Sequence, residues 1–374
     1  MSLSRSFEPG VQGPFKGHFL VGQRLNRTQR VFSIYDDNGV ALPGCDIRSE
    51  HVMSVPEGEP NIPAELPIID QPTLFAGVAR DQFGHVILNC LGRLWALDEL
   101  PKDTKLVFWN SAKRPNQQFP FIRPFLDLLG VENDIEVRFE NATYSELYTA
   151  SNVYGEALGG LGTPRFHAWI DDRLPPAGPV DPDRRIYLTR SALGPSAGRY
   201  ACEDHLETLL KREGYEIIAP ESLSFAEQIA LFQNAGKLIF AEGSALHLYA
   251  MVRRENQQAA VIQRRAHLPR MMLLQMNDRR GLPVEPIETL KSIYWPPKRS
   301  DHFSVAFLDF EALRARLIEY DLISPNAFWD LPDQDMEQVS LNAGLAPGEE
   351  MLDESGRRKW LRKFRRERRA KRAA

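Results

Sequence analysis

Between residues 184 and 263, apolar runs of strand length alternate with amphipathic runs of helix length, and few folds accept that order. RRIYLTRS (184–191) reads as a strand, EDHLETLLKREG (203–214) as a helix stopped by Gly214, and YEIIAP (215–220) as a second strand. A helix follows in LSFAEQIALFQNAG, with Ser224 and Glu227 in capping-box spacing and Gly236 at its end. KLIFA (237–241) is a third strand, SALHLYAMVRR (244–254) a third helix and AAVIQ (259–263) a fourth strand. Strands that alternate with helices through short connections pair in parallel, with helices laid on the sheet faces. The expected fold class is α/β, and this part of the chain is expected to be Rossmann-like.

At 374 residues, two domains are expected rather than one. The front half is mixed but less regular. Short strands are expected over 15–55, a helix in QFGHVILNCLGRLWALDEL (82–100), a strand in TKLVFWN (104–110) and a helix in FPFIRPFLDLLG (119–130). IEVRFE (135–140) and ELYTAS (146–151) read as strands, and proline and glycine then gather between 154 and 183. The expected organisation is an α/β domain over 1–165, a linker over 166–183 and a Rossmann-like domain over 184–322. An acidic, proline-rich segment follows over 323–355 and a basic tail over 356–374. No strong periodicity marks 266–300, FEALRARLIEY (310–320) reads as a helix, and no internal repeat is present.

Cysteine usage and charge narrow the setting. Cys45, Cys90 and Cys202 are far apart and odd in number, which gives neither a disulfide framework nor a metal knuckle. The first thirty residues hold no long apolar segment, and no run of about 20 apolar residues occurs anywhere. A cytoplasmic protein without a signal peptide is therefore expected. The net charge of −4 conceals a split: GRRKWLRKFRRERRAKRAA (356–374) has eleven Lys or Arg against one Glu. The tail thus carries +10 and the remainder −14, an asymmetry that points to an anionic partner.

Ligands in open parallel sheets bind beyond the carboxyl ends of the strands. Glu242, Gly243 and Ser244 fall at that edge, where Gly243 admits close backbone approach and a helix N-terminus presents free N–H groups. His247 lies on the first turn of the same helix. A helix cap and a satisfied core histidine would give the same local pattern. Two other motifs read as turns. Asp181-Pro182-Asp183 has the acidic spacing of a metal motif but follows PPAGPV rather than an apolar strand, and GGLGTP (159–164) has no strand before it. No nucleophile elbow, zinc-protease helix or phosphate-binding loop motif is present.

RRIYLTRS followed by EDHLETLLKREGYEIIAPESLSFAEQIALFQNAGKLIFAEGSALHL resembles the catalytic domain of glycosyltransferase family 61. Bacterial members of that family are associated with capsular and lipopolysaccharide synthesis. DQFGHVILNCLGRLWALDEL is similar to the family's N-terminal Gly-His helix. Arg190 matches the arginine after the family's first strand, and Arg199 and Glu203 match a later basic and acidic pair, with Cys202 in place of an asparagine. Where many members read His-Gly-Ala-Gly, this chain reads Glu242-Gly243-Ser244-Ala245 and places His247 two positions on. The resemblance implies a GT-B arrangement of two Rossmann-like domains facing a cleft, with parallel sheets and helices on both faces. It implies an inverting transferase that takes a sugar from a nucleotide-sugar co-substrate, without a catalytic metal or another cofactor, and passes it to a saccharide or lipid-linked acceptor. Arg190, Arg199, Glu203, Gly243 and Ser244 would bind the donor. Glu242, His247 and His85 are the candidates for the base that takes the acceptor proton.

Two other readings stay open at this stage. One is a different polysaccharide-modifying transferase of the same fold, such as a pyruvyl transferase. The other is a non-catalytic protein that binds through its tail. A body of charge −14 would repel a nucleic acid, so none is expected as partner. On a helix, Trp360, Leu361 and Phe364 share one face among lysines and arginines, which suits the anionic inner surface of a membrane.

Overall fold

The computed structural model describes residues 10–15, 18–24, 30–35, 38, 40, 65–110, 116, 118–155, 158–194, 197–279, 281–297, 303–333, 336, 339–340, 343–346 and 348–373. The strands expected over 41–55, together with Cys45, lie outside the described residues. The chain divides into two compact units: residues 1–176 with 274–278, and residues 177–273 with 279–374.

In the first unit, β1 (Val11–Phe15), β2 (His18–Arg24), β3 (Arg30–Tyr35), β4 (Ile68–Ile69) and β5 (Thr73–Ala79) precede helix α1 (Phe83–Cys90). There follow β6 (Lys105–Asn110), α2 (Ile122–Leu128), β7 (Ile135–Arg138), β8 (Ala142–Tyr144), β9 (Leu147–Ala150) and α3 (Pro164–Arg173). One sheet has the order β1-β9-β5-β6-β7, parallel throughout except for edge strand β1. The second, β3-β2-β8-β4, is mixed. Phe75, Val107 and Trp109 of the parallel sheet pack with Ile34, Ala142 and Tyr144 of the small one. This corrects the expectation of a doubly wound first domain, because a sheet rather than a helix layer covers one face.

The stretch 82–100 is not one helix. It is α1 followed, after a break at Leu91–Arg93, by a 3-10 turn over Leu94–Asp98. Helix α1 lies so close to β5 that a Cβ at Gly77, where φ is +127°, would stand 2.6 Å from the Asn89 carbonyl. Within the stretch expected as linker, α3 has a first-turn proline and a Thr163 hydroxyl that accepts from the Phe166 N–H at 3.3 Å. It buries Phe166, Trp169 and Ile170, and the division between units falls three residues beyond its end. Residues 274–278 join this unit through Asp278, whose Oδ2 meets the Gly162 N–H at 2.7 Å and His167 Nε2 at 2.9 Å.

The second unit comprises β10 (Asp181–Leu188), β11 (Arg199–Tyr200), α4 (Glu203–Arg212), β12 (Tyr215–Ile218), α5 (Phe225–Asn234), β13 (Ala235–Ala241), α6 (Ala245–Val252) and β14 (Gln258–Ile262). After α7 (Arg270–Met276), whose residues 274–276 belong to the first unit, come β15 (Glu285–Ile287), β16 (Leu290–Tyr294), β17 (Val305–Leu308), α8 (Phe310–Glu319) and α9 (Glu354–Ala373). Its main sheet runs β12-β10-β13-β14-β15 and every pair is parallel. Side chains alternate along each strand. Tyr187, Ile239, Ala260 and Ile262 therefore face Leu206, Leu209 and Leu210 of α4 and Leu313 and Leu317 of α8. On the other face Phe240 meets Phe232 of α5 and Tyr249 of α6, with ring centroids 5.8 and 4.9 Å apart. Helices thus cover both faces, as expected here. A smaller sheet, β11-β17-β16, stands beside it.

The capping box of α5 is present: Ser224 Oγ accepts from the Glu227 N–H, and the Glu227 carboxylate accepts from the Ser224 N–H at 2.8 Å. Gly236 does not stop that helix. It belongs to β13, where a Cβ would stand 2.6 Å from the Asp181 carbonyl, so its place is set by the approach of β10.

Candidate functional site

The first crossover of the main sheet, from β10 through α4, places β12 on one side of β10. The next crossover carries the chain past β10 to β13 on the other side. The strand order reverses between β10 and β13, and in open parallel sheets ligands bind beyond the carboxyl ends at such a reversal. Leu188 is opposite Phe240, so two residues on, Arg190 is level with Glu242. The sheet therefore brings together the Arg190 and Glu242–Ser244 segments that the sequence singled out.

Arg190 lies over Gly243. A Cβ on that glycine would stand 2.4 Å from the guanidinium Nη1, so only a residue without a side chain lets the arginine sit there. Its Nε donates to the Gly198 carbonyl at 3.0 Å. Ser244 is exposed at the N-terminus of α6, and its hydroxyl does not cap the helix. Arg199 donates through Nη2 to the Leu193 and Gly194 carbonyls at 3.0 and 2.7 Å, while its Nε is buried without an acceptor. Burial lowers the pKa of this arginine, Glu203 works against that, and Arg190 adds to it.

Glu203 begins α4 after Cys202, whose backbone is left-handed at φ +57°. The buried carboxylate accepts on Oε1 from Tyr187 Oη at 3.0 Å, Thr189 Oγ1 at 3.0 Å and the Arg190 N–H at 2.8 Å. Burial raises its pKa against these hydrogen bonds. Glu203 thus holds the 187–190 strand end in place and, through it, Arg190.

Glu242 is 0% exposed. Its Oε2 accepts from the Arg264 and Arg265 N–H groups at 2.8 and 3.1 Å, and Oε1 pairs with the Arg265 guanidinium. Its own N–H donates to Tyr200 Oη at 2.9 Å and to the Ile262 carbonyl at 3.2 Å. A carboxylate enclosed by three donors and shut from solvent is not free to take a proton from an acceptor. The geometry corrects its expected role as base: Glu242 fixes the turn that follows β14.

His247 is buried on α6, 6% exposed. His85 belongs to the first unit, in the first turn of α1 just beyond the carboxyl end of β5. Its Nδ1 lies 3.5 Å from Asn89 Nδ2, and Asn89 Nδ2 also donates to the His85 carbonyl at 3.0 Å. Asp181-Pro182-Asp183 is at the amino end of β10, the opposite edge of the sheet from Arg190 and Glu242. Asp181 there accepts from the Asp183 N–H at 3.0 Å, as a local turn does.

Sequence reasoning missed Arg264 and Arg265. They directly follow the fourth expected strand, and the carboxyl-edge rule applied to Glu242 would have found them.

Residues 83–258, 176 of the 374, match the family model described as Glycosyltransferase 61. No curated protein gives a match. Among solved structures, the bacterial iron-containing dodecameric glycosyltransferase TibC from enterotoxigenic E. coli H10407 is similar at 11% identity and a TM-score of 0.28, over 68% of this chain and 75% of that one. A likeness at that level carries no argument about this chain. The family match runs from α1 to the start of β14, just under half of the chain, and takes in His85, Arg190, Arg199, Glu203, the Glu242–Ser244 turn and His247; over these residues the chain is similar to the glycosyltransferases of family 61.

Proposed function

We propose that this protein is an inverting glycosyltransferase that moves a sugar from a nucleotide-sugar donor to a saccharide or glycolipid acceptor of a cell-surface polysaccharide, with no catalytic metal. The observation that carries the donor reading is the Arg190 guanidinium seated over Gly243 at the reversal of strand order. In the reaction an acceptor hydroxyl attacks the anomeric carbon as the bond to the diphosphate breaks. The bonding pair leaves with the nucleoside diphosphate, and a base takes the hydroxyl proton. Arg190, Arg199 and the open N-terminus of α6 at Ser244 meet the departing phosphates in this reading. Glu203 is a positioning residue, because it grips the backbone of Arg190.

Arg190→Ala is expected to weaken binding of UDP or GDP by roughly 1.5–3 kcal/mol, the scale of a charge-assisted hydrogen bond. Lysine should restore only part of that, lacking the planar fork. Gly243→Ala is expected to displace the same guanidinium and give a comparable loss with little change in stability. Calorimetry on the folded variants checks both, and unchanged affinity in Arg190→Ala removes this arginine from the site.

With Glu242 enclosed, the base is assigned to a histidine. General base catalysis contributes roughly 10²–10⁴ in rate. Turnover by the variant that loses the base is therefore expected to fall at least about 100-fold while UDP or GDP affinity holds. Measuring His247→Ala and His85→Ala side by side decides between them, and full turnover in both would end the assignment.

A further inference from the structure

The register of the sheet puts another cation beside the proposed donor contacts. Phe240 is opposite Val261 and Ala241 opposite Ile262, so continuing two residues brings Gly243 level with Arg264. Arg264 is 4% exposed. Its Nη1 donates to the Ser304 hydroxyl at 3.0 Å and to the Ser304 carbonyl at 3.3 Å, while its Nε is buried with no acceptor. Arg199 Nε is in the same condition. Buried donors are ordinarily paired, and a buried cation all the more so.

The surrounding charges sharpen the point. Burial pulls the Arg264 pKa down to about 10, with Arg190 the next cause and Glu242 opposing it. Arg190 also lowers the pKa of Arg199. The Arg190 guanidinium therefore repels both Arg264 and Arg199. The nearby carboxylates do not neutralise them by contact. Glu203 Oε1 is taken by Tyr187, Thr189 and a backbone N–H while its buried Oε2 meets no donor, and Glu242 is taken by Arg265 and two backbone N–H groups. Among the described residues, no carboxylate forms an ion pair with Arg190, Arg199 or Arg264. A multiply charged anion with several oxygens would satisfy the orphaned N–H groups and relieve the mutual repulsion together.

We propose that Arg264 is a further donor-binding residue, anchored by Ser304 and set in place by Glu242, that takes a phosphate oxygen of a nucleoside diphosphate alongside Arg190 and Arg199. The proposal rests on the donor reading above, and Arg264 lies outside the matched residues 83–258. It also gives the buried Glu242 a part in the site: by holding the Arg264 and Arg265 N–H groups it fixes where both side chains begin.

Titration calorimetry with inorganic pyrophosphate tests it, since that probe carries the shared phosphates without a base or sugar. Arg264→Gln is expected to weaken pyrophosphate and UDP or GDP binding at least about tenfold, the low end for a charge-assisted hydrogen bond. The parent nucleoside, without phosphates, should show no difference between wild type and variant. Unchanged pyrophosphate affinity in Arg264→Gln, with affinity lost in Arg190→Ala, overturns this proposal and leaves the donor reading standing. If the wild-type protein binds neither pyrophosphate nor UDP nor GDP, both fall. Should Arg264→Gln fail to fold, Arg264→Lys keeps the charge and must still lose affinity several-fold. Wild-type affinity in that variant equally overturns the assignment.

Discussion

Glu242→Ala is expected to lower the free energy of unfolding by about 3–5 kcal/mol, the range for removing one partner of a buried ion pair. The carboxylate is 0% exposed and is the acceptor for the Arg264 and Arg265 N–H groups and for the Arg265 guanidinium. Alanine leaves those donors facing a void that its small side chain does not fill. Arg265 is partly exposed and recovers some hydration. The backbone groups are not so placed, and each unmet buried donor costs about 1–3 kcal/mol. Glu242→Gln retains one carbonyl acceptor but loses the charge and brings an NH₂ against donors, so an intermediate loss is expected. Urea unfolding measures both. A change under about 1 kcal/mol for alanine would mean the 264–265 turn is held by something else. The same turn carries Arg264, so a folded Glu242→Gln protein should also bind pyrophosphate less well.

The difference between the expected and observed roles of Glu242 shows what a sequence conveys about a site. Strand–turn–helix patterning located the carboxyl edge, and Arg190, Gly243 and Ser244 do meet there. What surrounds a side chain depends on residues distant in sequence. The carboxyl-edge rule puts Arg264 and Arg265 at the same edge as Glu242, but that they reach its carboxylate depends on β14 pairing beside β13. The same limit explains the missed strands. TLFAGVA in β5 is buried at every position, so it lacks the polar alternation that marks a half-exposed strand, and Gly77 interrupts its propensity. β15 is three residues long and contains Pro286 at an edge, where a missing N–H is tolerated. Patterns with local causes were legible, as with the Ser224–Glu227 capping box. Gly236 misled because glycine serves two purposes, ending helices and admitting a neighbouring backbone, and only the fold tells which applies.

The basic tail is expected to confer binding to anionic vesicles that the rest of the chain lacks. Residues 354–373 form the helix α9. Trp360 and Phe364 lie one turn apart with their rings stacked, centroids 5.1 Å apart and planes 12° from parallel. The Arg357 guanidinium sits 5.0 Å from the Trp360 ring centre, and Phe364 remains 45% exposed. Arg358, Lys359, Arg362, Lys363, Arg365 and Arg366 are exposed around this aromatic edge. Among the described residues no helix is long and apolar enough to cross a membrane, so the association proposed is peripheral. Each Lys or Arg near an anionic leaflet contributes about 1 kcal/mol, and the attraction fades as salt shortens its range. Replacing Arg362, Lys363, Arg365 and Arg366 with glutamine, while keeping the buried Arg357 and its contact with Trp360, is therefore expected to weaken vesicle binding by about 4 kcal/mol, close to a thousandfold. Co-sedimentation with phosphatidylserine-containing vesicles at low salt reads this out, with neutral vesicles as the control. A chain ending at Ser355 should stay in the supernatant under the same conditions. Equal sedimentation of wild type and the glutamine variant would sink the membrane assignment, as would wild-type binding that survives 1 M salt unchanged.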